Sequence, residues 1–183
     1  MQITAHPYTL FFKRPARTSR GELETRHLWF LRAGDSDQPE LAGWGECGPV
    51  PQLSIDATDH FGQQVTQLCH TINQGAPITR SFLHHGVNQP VGILDHITGG
   101  QTLPPALAFG LEMALLDLAN GGQRRLFATP FSRGEATLPT HGLIWMDTLD
   151  GVLEQIEQKV AHGFGVIKLK VGALPFAEEC ALL

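Results

Sequence analysis

The sequence predicts an α+β region followed by the first elements of an alternating β–α arrangement. Three observations carry this. Residues 1–47 hold three runs rich in aromatic and aliphatic residues, separated by turn-forming residues. Two amphipathic helical patterns follow, over 57–73 and 104–119. After a Gly- and Pro-containing stretch at 121–137, two apolar runs flank a helical pattern at a spacing of about 25 residues, which a (β/α) barrel would use.

In the α+β region, Ile3 to Phe12 reads as the first strand, being rich in Thr, Tyr, Leu and Phe. The run from Lys13 to Gly21 contains Pro15 and the cations Lys13, Arg14, Arg17 and Arg20, and reads as a polar turn. Leu23 to Arg32 and Leu41 to Cys47 are the second and third strands. Gly43 and Gly45 in the third permit a bulge or the close approach of another backbone. Gly48-Pro49-Val50-Pro51 ends it, since successive prolines cannot serve a ladder. Asp56 is the predicted N-cap of the helix over 57–73, whose inner face holds Phe61, Val65, Leu68, Cys69 and Ile72. Residues 75–103 are punctuated by Gly, Pro and His, so a short helical turn at most is expected there. The next helix opens at Pro104-Pro105 and buries Leu107, Leu111, Ala114, Leu115 and Leu118. Gly121-Gly122 ends it.

In the alternating region, Leu143-Ile144-Trp145-Met146 within 139–146 is a buried-strand candidate. Asp147 or Thr148 can cap a helix carrying Leu149, Leu153, Ile156 and Val160, with Lys159 and His162 near its C-terminal end, where cations are favoured. Residues 165–172 then form a strand. Ile167, Leu169 and Val171 fill one face, and Lys168 and Lys170 point to the other beside Val166. Residues 175–183 begin another helix, with Glu178 and Glu179 in its first turns.

Composition narrows the function. The 183 residues are 42% apolar and 17% charged, as a globular protein with a real core requires. Thirteen basic residues against 18 acidic ones give a net charge of −5, which leaves no basic footprint for nucleic acid. No apolar run reaches the roughly 18 residues of a membrane helix. The first residues lack a basic segment followed by an apolar one, so no secretory signal is expected. Cys47, Cys69 and Cys180 have no metal-ligand spacing, and a reduced, cytoplasmic setting is expected. His84-His85 and His96 read as surface histidines, with metal binding as the second reading.

The sharpest candidate site is the lysine pair. Residues i and i+2 of a strand face the same way, with Cα atoms roughly 6.5–7 Å apart. Two ammonium groups so placed on a strand that packing should cover oppose each other's protonation, which suits one of them to act as a general base. The alternative is an ordinary strand with one solvated face. The cationic run at 13–21 comes second, as a field for a carboxylate or as a solvated hairpin connection. Third is Glu46-Cys47, with Glu46 as a polar contact or a strand-end carboxylate and Cys47 as a packing residue rather than a nucleophile. Glu112 and Asp117 are five apart on one helix and diverge around its axis, so they form no acid–base pair.

Gly43-Trp44-Gly45-Glu46-Cys47-Gly48-Pro49, the Leu111-Glu112-Met113-Ala114-Leu115-Leu116-Asp117-Leu118 helix and the K-x-K strand, in that order, resemble the enolase superfamily. Gly142-Leu143-Ile144-Trp145-Met146 and Ile167-Lys168-Leu169-Lys170-Val171-Gly172-Ala173 resemble its o-succinylbenzoate synthase branch more than its racemases or muconate cycloisomerases. His141 departs from that branch, where asparagine is expected. The resemblance covers nearly the whole chain. It implies an α+β capping domain at 1–118, a linker at 119–137 and, over 138–183, the first units of a TIM-like (β/α) barrel that stays incomplete in this chain.

The resemblance also implies roles. Lys170 is the base and Lys168 its electrostatic partner near the substrate carboxylate. Ser19 and Arg20, with the loop after Cys47, belong to the loops that close over a small carboxylate substrate. The implied reaction dehydrates 2-succinyl-6-hydroxy-2,4-cyclohexadiene-1-carboxylate to 2-succinylbenzoate in menaquinone biosynthesis, through an enediolate stabilised by Mg²⁺. The pairing of a lysine base with Mg²⁺ is an established pattern of the superfamily rather than a reading of these residues. A complete barrel takes roughly 250 residues, and the family's three carboxylate metal ligands and opposing lysine lie on later strands. This polypeptide by itself is therefore expected to hold no metal ligands and to be inactive. The other expectations are a different superfamily reaction, dipeptide epimerisation or muconate cycloisomerisation, or a non-catalytic interaction module.

Overall fold

The structure, a computed structural model, describes residues 1–18, 21–35, 37, 38, 40–76, 78, 83, 90–172 and 174–182. Ser19 and Arg20, expected at the substrate, lie outside the described residues, as do His84 and His85. The chain divides into two compact units, one of residues 1–10 and 26–133, the other of residues 11–25 and 134–183.

The first unit is built on a sheet of order β1-β2-β3, formed by β1 (Gln2–Thr18), β2 (Gly21–Gly34) and β3 (Ala42–Cys47). Strands β2 and β3 are antiparallel, in register from Trp29↔Cys47 to Gly34↔Ala42. The turn expected at 13–21 is corrected here, because β1 continues through Thr18. β1 lies at the sheet edge, where a proline such as Pro15 is tolerated without costing an internal ladder bond.

Among the described residues, three helices pack on the sheet through a shared core: α1 (Phe61–Gln74), α2 (Pro90–Thr98) and α3 (Pro105–Ala119). Ile3, Leu31, Ala33 and Cys47 of the sheet join Phe61, Val65, Leu68 and Ile72 of α1 and Leu107, Leu111 and Leu115 of α3 in one core. Each large side chain buried there contributes about 1.5–3 kcal/mol. The helical periods read from the sequence match the buried faces of α1 and α3. Helix α2 runs nine residues where a turn at most was expected. Ile93 is buried and Leu94 and Ile97 pack on the core, so tertiary burial overrides the local breakers.

Asp56 has a different task from the predicted one. Helix α1 starts at Phe61, its N-cap is His60, and no side chain caps it. Asp56 Oδ2 instead accepts the Ala106 N–H at 2.6 Å, at the start of α3. Helix α3 opens after Pro104, which has no side-chain acceptor for the orphan N–H groups. A carboxylate from 50 residues earlier supplies it and also favours the helix dipole.

The glycines of β3 mark close approach rather than a bulge. A Cβ on Gly43 would collide with the Ala114 carbonyl oxygen, and one on Gly45 with the Gly110 carbonyl oxygen. A Cβ on Gly110 would in turn meet Cys47 Sγ. Strand and helix thus pack backbone on backbone. Buried Asp117 fastens the same contact: Oδ2 accepts the Trp44 N–H at 3.0 Å and Oδ1 the Arg124 N–H at 2.6 Å. At the sheet edge, Asn73 of α1 accepts from the Ile3 N–H and donates to the Ile3 carbonyl, both at 2.8 Å.

The second unit contains β4 (Gly142–Ile144), α4 (Leu149–Ala161), β5 (Ile167–Leu169) and α5 (Phe176–Leu182), together with the outer parts of β1 and β2. Strands β4 and β5 are parallel, in register Gly142↔Ile167, Leu143↔Lys168 and Ile144↔Leu169. The ladder is shorter than the strands read from the sequence. Thr148 is the N-cap of α4 and accepts the Gly151 N–H at 3.3 Å. Of the predicted apolar stripe of α4, Leu153 and Val160 are exposed, and Val152 is the buried residue instead. No described helix is long and apolar enough to cross a membrane.

Candidate functional site

The parallel register sets the site. With Leu143 opposite Lys168 and Ile144 opposite Leu169, the next positions along the two strands are Trp145 and Lys170. The Lys170 ammonium stands 4.3 Å from the centroid of the Trp145 ring. A cation over an indole face is attracted by the ring quadrupole, by about 0.5–1 kcal/mol at an exposed site. Lys170 is half-buried, whereas Lys168 is exposed. The expectation of a strand covered on both faces is not met. Val166 is 64% exposed and Val171 52%, and β5 has β4 as its sole neighbour among the described residues.

Backbone groups around the lysine are held by side chains. Gln155 Oε1 accepts the Trp145 N–H at 2.9 Å, and its Nε2 donates to the Trp145 carbonyl at 3.3 Å. Glu179 Oε1 accepts the Gly172 N–H at 2.5 Å and the Leu174 N–H at 3.1 Å, which fixes the loop after β5.

A cavity of about 580 Å³ lies in the same unit, between residues 12–16 of β1 and the Trp145-Met146-Asp147 segment, with Gln155 in its wall. Lys13 and Arg14 bring positive charge to it. The cationic run picked out in the sequence therefore reaches this cavity on a strand, not on a turn. Trp145 belongs both to the cavity wall and to the Lys170 contact.

The third sequence candidate is structural. Glu46 pairs with Arg26 at 3.5 Å, and Arg26 donates to the Gly48 carbonyl at 2.6 Å. Burial pushes the Cys47 thiol up to about 12, with Cys69, Glu46 and Asp56 adding to the effect. Such a thiol stays protonated at neutral pH, as a packing residue should. Trp145 and Gln155 were missed as site residues. The signal for Trp145 was available: aligning the two apolar runs in parallel register sets it beside Lys170. Gln155 gave none, since a glutamine on an amphipathic helix is ordinary.

Among the described residues no group of three or more His, Cys, Asp or Glu side chains is arranged to hold a metal ion. Asp147, the carboxylate among the described residues of the cavity wall, accepts the Thr148 N–H at 2.9 Å. The described residues do not fit a metal centre.

No family model matches the chain. An o-succinylbenzoate synthase of Desulfotalea psychrophila is 41% identical over all of this chain and 52% of its own length. The crystal structure of MenC from that organism superposes with a TM-score of 0.78 at 36% identity, covering 100% of this chain and 51% of the other. The o-succinylbenzoate synthase of Thermosynechococcus elongatus, solved with Mg in its active site, gives a TM-score of 0.64 at 20% identity, over 100% and 46% of the two chains. A dipeptide epimerase of Enterococcus faecalis gives 0.68 at 18% identity, over 93% and 45%. These last two likenesses show the fold alone. The chain spans about half the length of the relatives it matches. In sequence and in fold, the chain corresponds to the N-terminal half of enolase-superfamily proteins, an α+β cap followed by the first units of a (β/α) barrel.

Proposed function

We propose that the chain carries the base-bearing half of an o-succinylbenzoate synthase, a carbon–oxygen lyase. The observation that carries this reading is Lys170 at the C-terminal end of β5, held over Trp145, whose ring also walls a cavity with Lys13 and Arg14. The C-terminal ends of barrel strands are where (β/α) enzymes do their chemistry. In this reading Lys170 takes the proton α to the substrate carboxylate, and Lys168 supplies positive charge nearby. Residues 1–118 act as the cap, 119–137 as the linker and 138–183 as the start of the barrel. Ser19 and Arg20 are assigned to binding the substrate, 2-succinyl-6-hydroxy-2,4-cyclohexadiene-1-carboxylate, and 2-succinylbenzoate is the product. The setting is cytoplasmic, with no nucleic-acid or membrane partner.

Enolisation of a carboxylate needs its developing charge met by a Lewis acid. The described residues offer no ligand set for one, so the 183-residue chain assayed alone has no synthase activity in this reading. Two assays test it, each following loss of the cyclohexadiene absorbance with Mg²⁺ present. The isolated chain should show no turnover, and a fusion of residues 1–183 to the C-terminal half of the Desulfotalea relative should show it. Turnover by the isolated chain would sink the inactivity, and a folded but inert fusion would sink the assigned reaction.

A further inference from the structure

We infer that Trp145 is a positioning residue for Lys170, with Gln155 holding Trp145 in place; the inference rests on the reading of Lys170 as the base. Four rotatable bonds give a lysine on an open strand end little reason to keep one position, and fixing them costs entropy. Lys170 lies just past the last ladder pair, and its neighbour Val171 is exposed. The indole face supplies what packing does not, through the 4.3 Å contact with the ammonium.

Trp145 is itself 43% exposed, so burial does not fix its ring. Its backbone is fixed instead. The Gln155 amide meets both the N–H and the carbonyl of Trp145, as a neighbouring strand would. Helix α4, which carries Gln155, is anchored by its Thr148 cap and the burial of Val152. The link thus runs from α4 to Gln155, to the Trp145 backbone, and from the Trp145 ring to the Lys170 amino group, which takes a proton only as the neutral amine. Lys168, two residues away, is exposed with no ring contact among those described, and is the natural internal control.

Limited acetylation of the 183-residue chain with acetic anhydride at one fixed pH, read by mass spectrometry of the peptides, measures the Lys170:Lys168 labelling ratio. In the wild-type chain Lys170 should label about two- to five-fold more slowly than Lys168, the range a surface cation–π contact supplies. Trp145→Phe keeps an aromatic face and should retain most of that protection. Trp145→Leu should bring the ratio to that of the urea-unfolded chain while far-UV circular dichroism stays unchanged. Gln155→Leu should fall between. An unchanged ratio in Trp145→Leu overturns the inference. So does Trp145→Phe losing protection as completely as Trp145→Leu, which would point to packing specific to the indole. The base assignment fails separately: a Lys170→Ala fusion that keeps its turnover removes it and leaves the labelling result standing.

Discussion

Asn73 bonds both backbone groups of Ile3 in the first unit, and Gln155 does the same for Trp145 in the second. The surroundings differ. Ile3 is 1% exposed and belongs to a core shared by sheet and helices, whereas Trp145 is 43% exposed beside a cavity. In the first unit the amide completes a residue that packing already holds. In the second it holds the backbone of a residue that packing leaves exposed, and the ring of that residue faces a lysine. Hydrogen bonding without burial keeps a side chain available for chemistry. The same contrast extends to the helices: α3 buries Leu107, Leu111 and Leu115 and exposes Phe109, and α4 buries Val152 and leaves Leu153 and Val160 exposed.

Substitutions in the two units should differ in cost as their packing differs. Leu111→Ala opens the fully buried centre of the first unit and should cost about 2–5 kcal/mol in urea unfolding. A loss below about 1 kcal/mol would mean that this core is not what holds the unit together. Gly45→Val sets a side chain against the Gly110 carbonyl, backbone against backbone, and should cost about 3 kcal/mol. A tolerated valine would show that α3 can move away from β3.

Cys47 offers a test by pH. Its thiol is held up to about 12, from an ordinary value of 9.0, chiefly by burial. The unfolded chain therefore releases this proton first as the pH rises. The stabilisation is complete below about pH 9 and is lost as pH climbs towards the folded value, by roughly 1 kcal/mol at about pH 10. Cys47→Ala should flatten that alkaline limb in thermal unfolding, and an unchanged limb would assign it to other groups. The smallest effect belongs to the second unit: Leu153→Ala should change stability by less than about 0.5 kcal/mol. A larger loss would mean that α4 packs more tightly than its exposure indicates.

Much of this was legible in the sequence. The apolar spacing of α1 and α3 identified their buried faces because helix burial and sequence period are the same fact seen twice. Gly43 and Gly45 left a bulge or a close approach open, and Asp147 or Thr148 marked a helix start; the close approach and Thr148 are what the structure has. The misses have physical causes. Pro15 and the cations around it read as a turn because local chemistry does not reveal which strand will lie at a sheet edge. Asp56 was matched to the nearer helix, since a cap reaching across 50 residues is a tertiary event. Helix α2 was hidden by breakers that burial of Ile93 overrides. At the site, the lysines were visible as charges on an apolar strand, whereas the ring that holds Lys170 depends on strand register. The roles given to Ser19 and Arg20 rest on family resemblance and lie outside the described residues.

In the proposed reaction Lys170 takes the substrate's α-proton. Replacing it by alanine in the fusion with the C-terminal half of the Desulfotalea relative tests this most directly, with substrate turnover as the readout. Turnover should fall at least about a hundredfold, the lower end of what a general base contributes, with circular dichroism unchanged. A Lys170→Ala fusion that turns over substrate like its parent would contradict it.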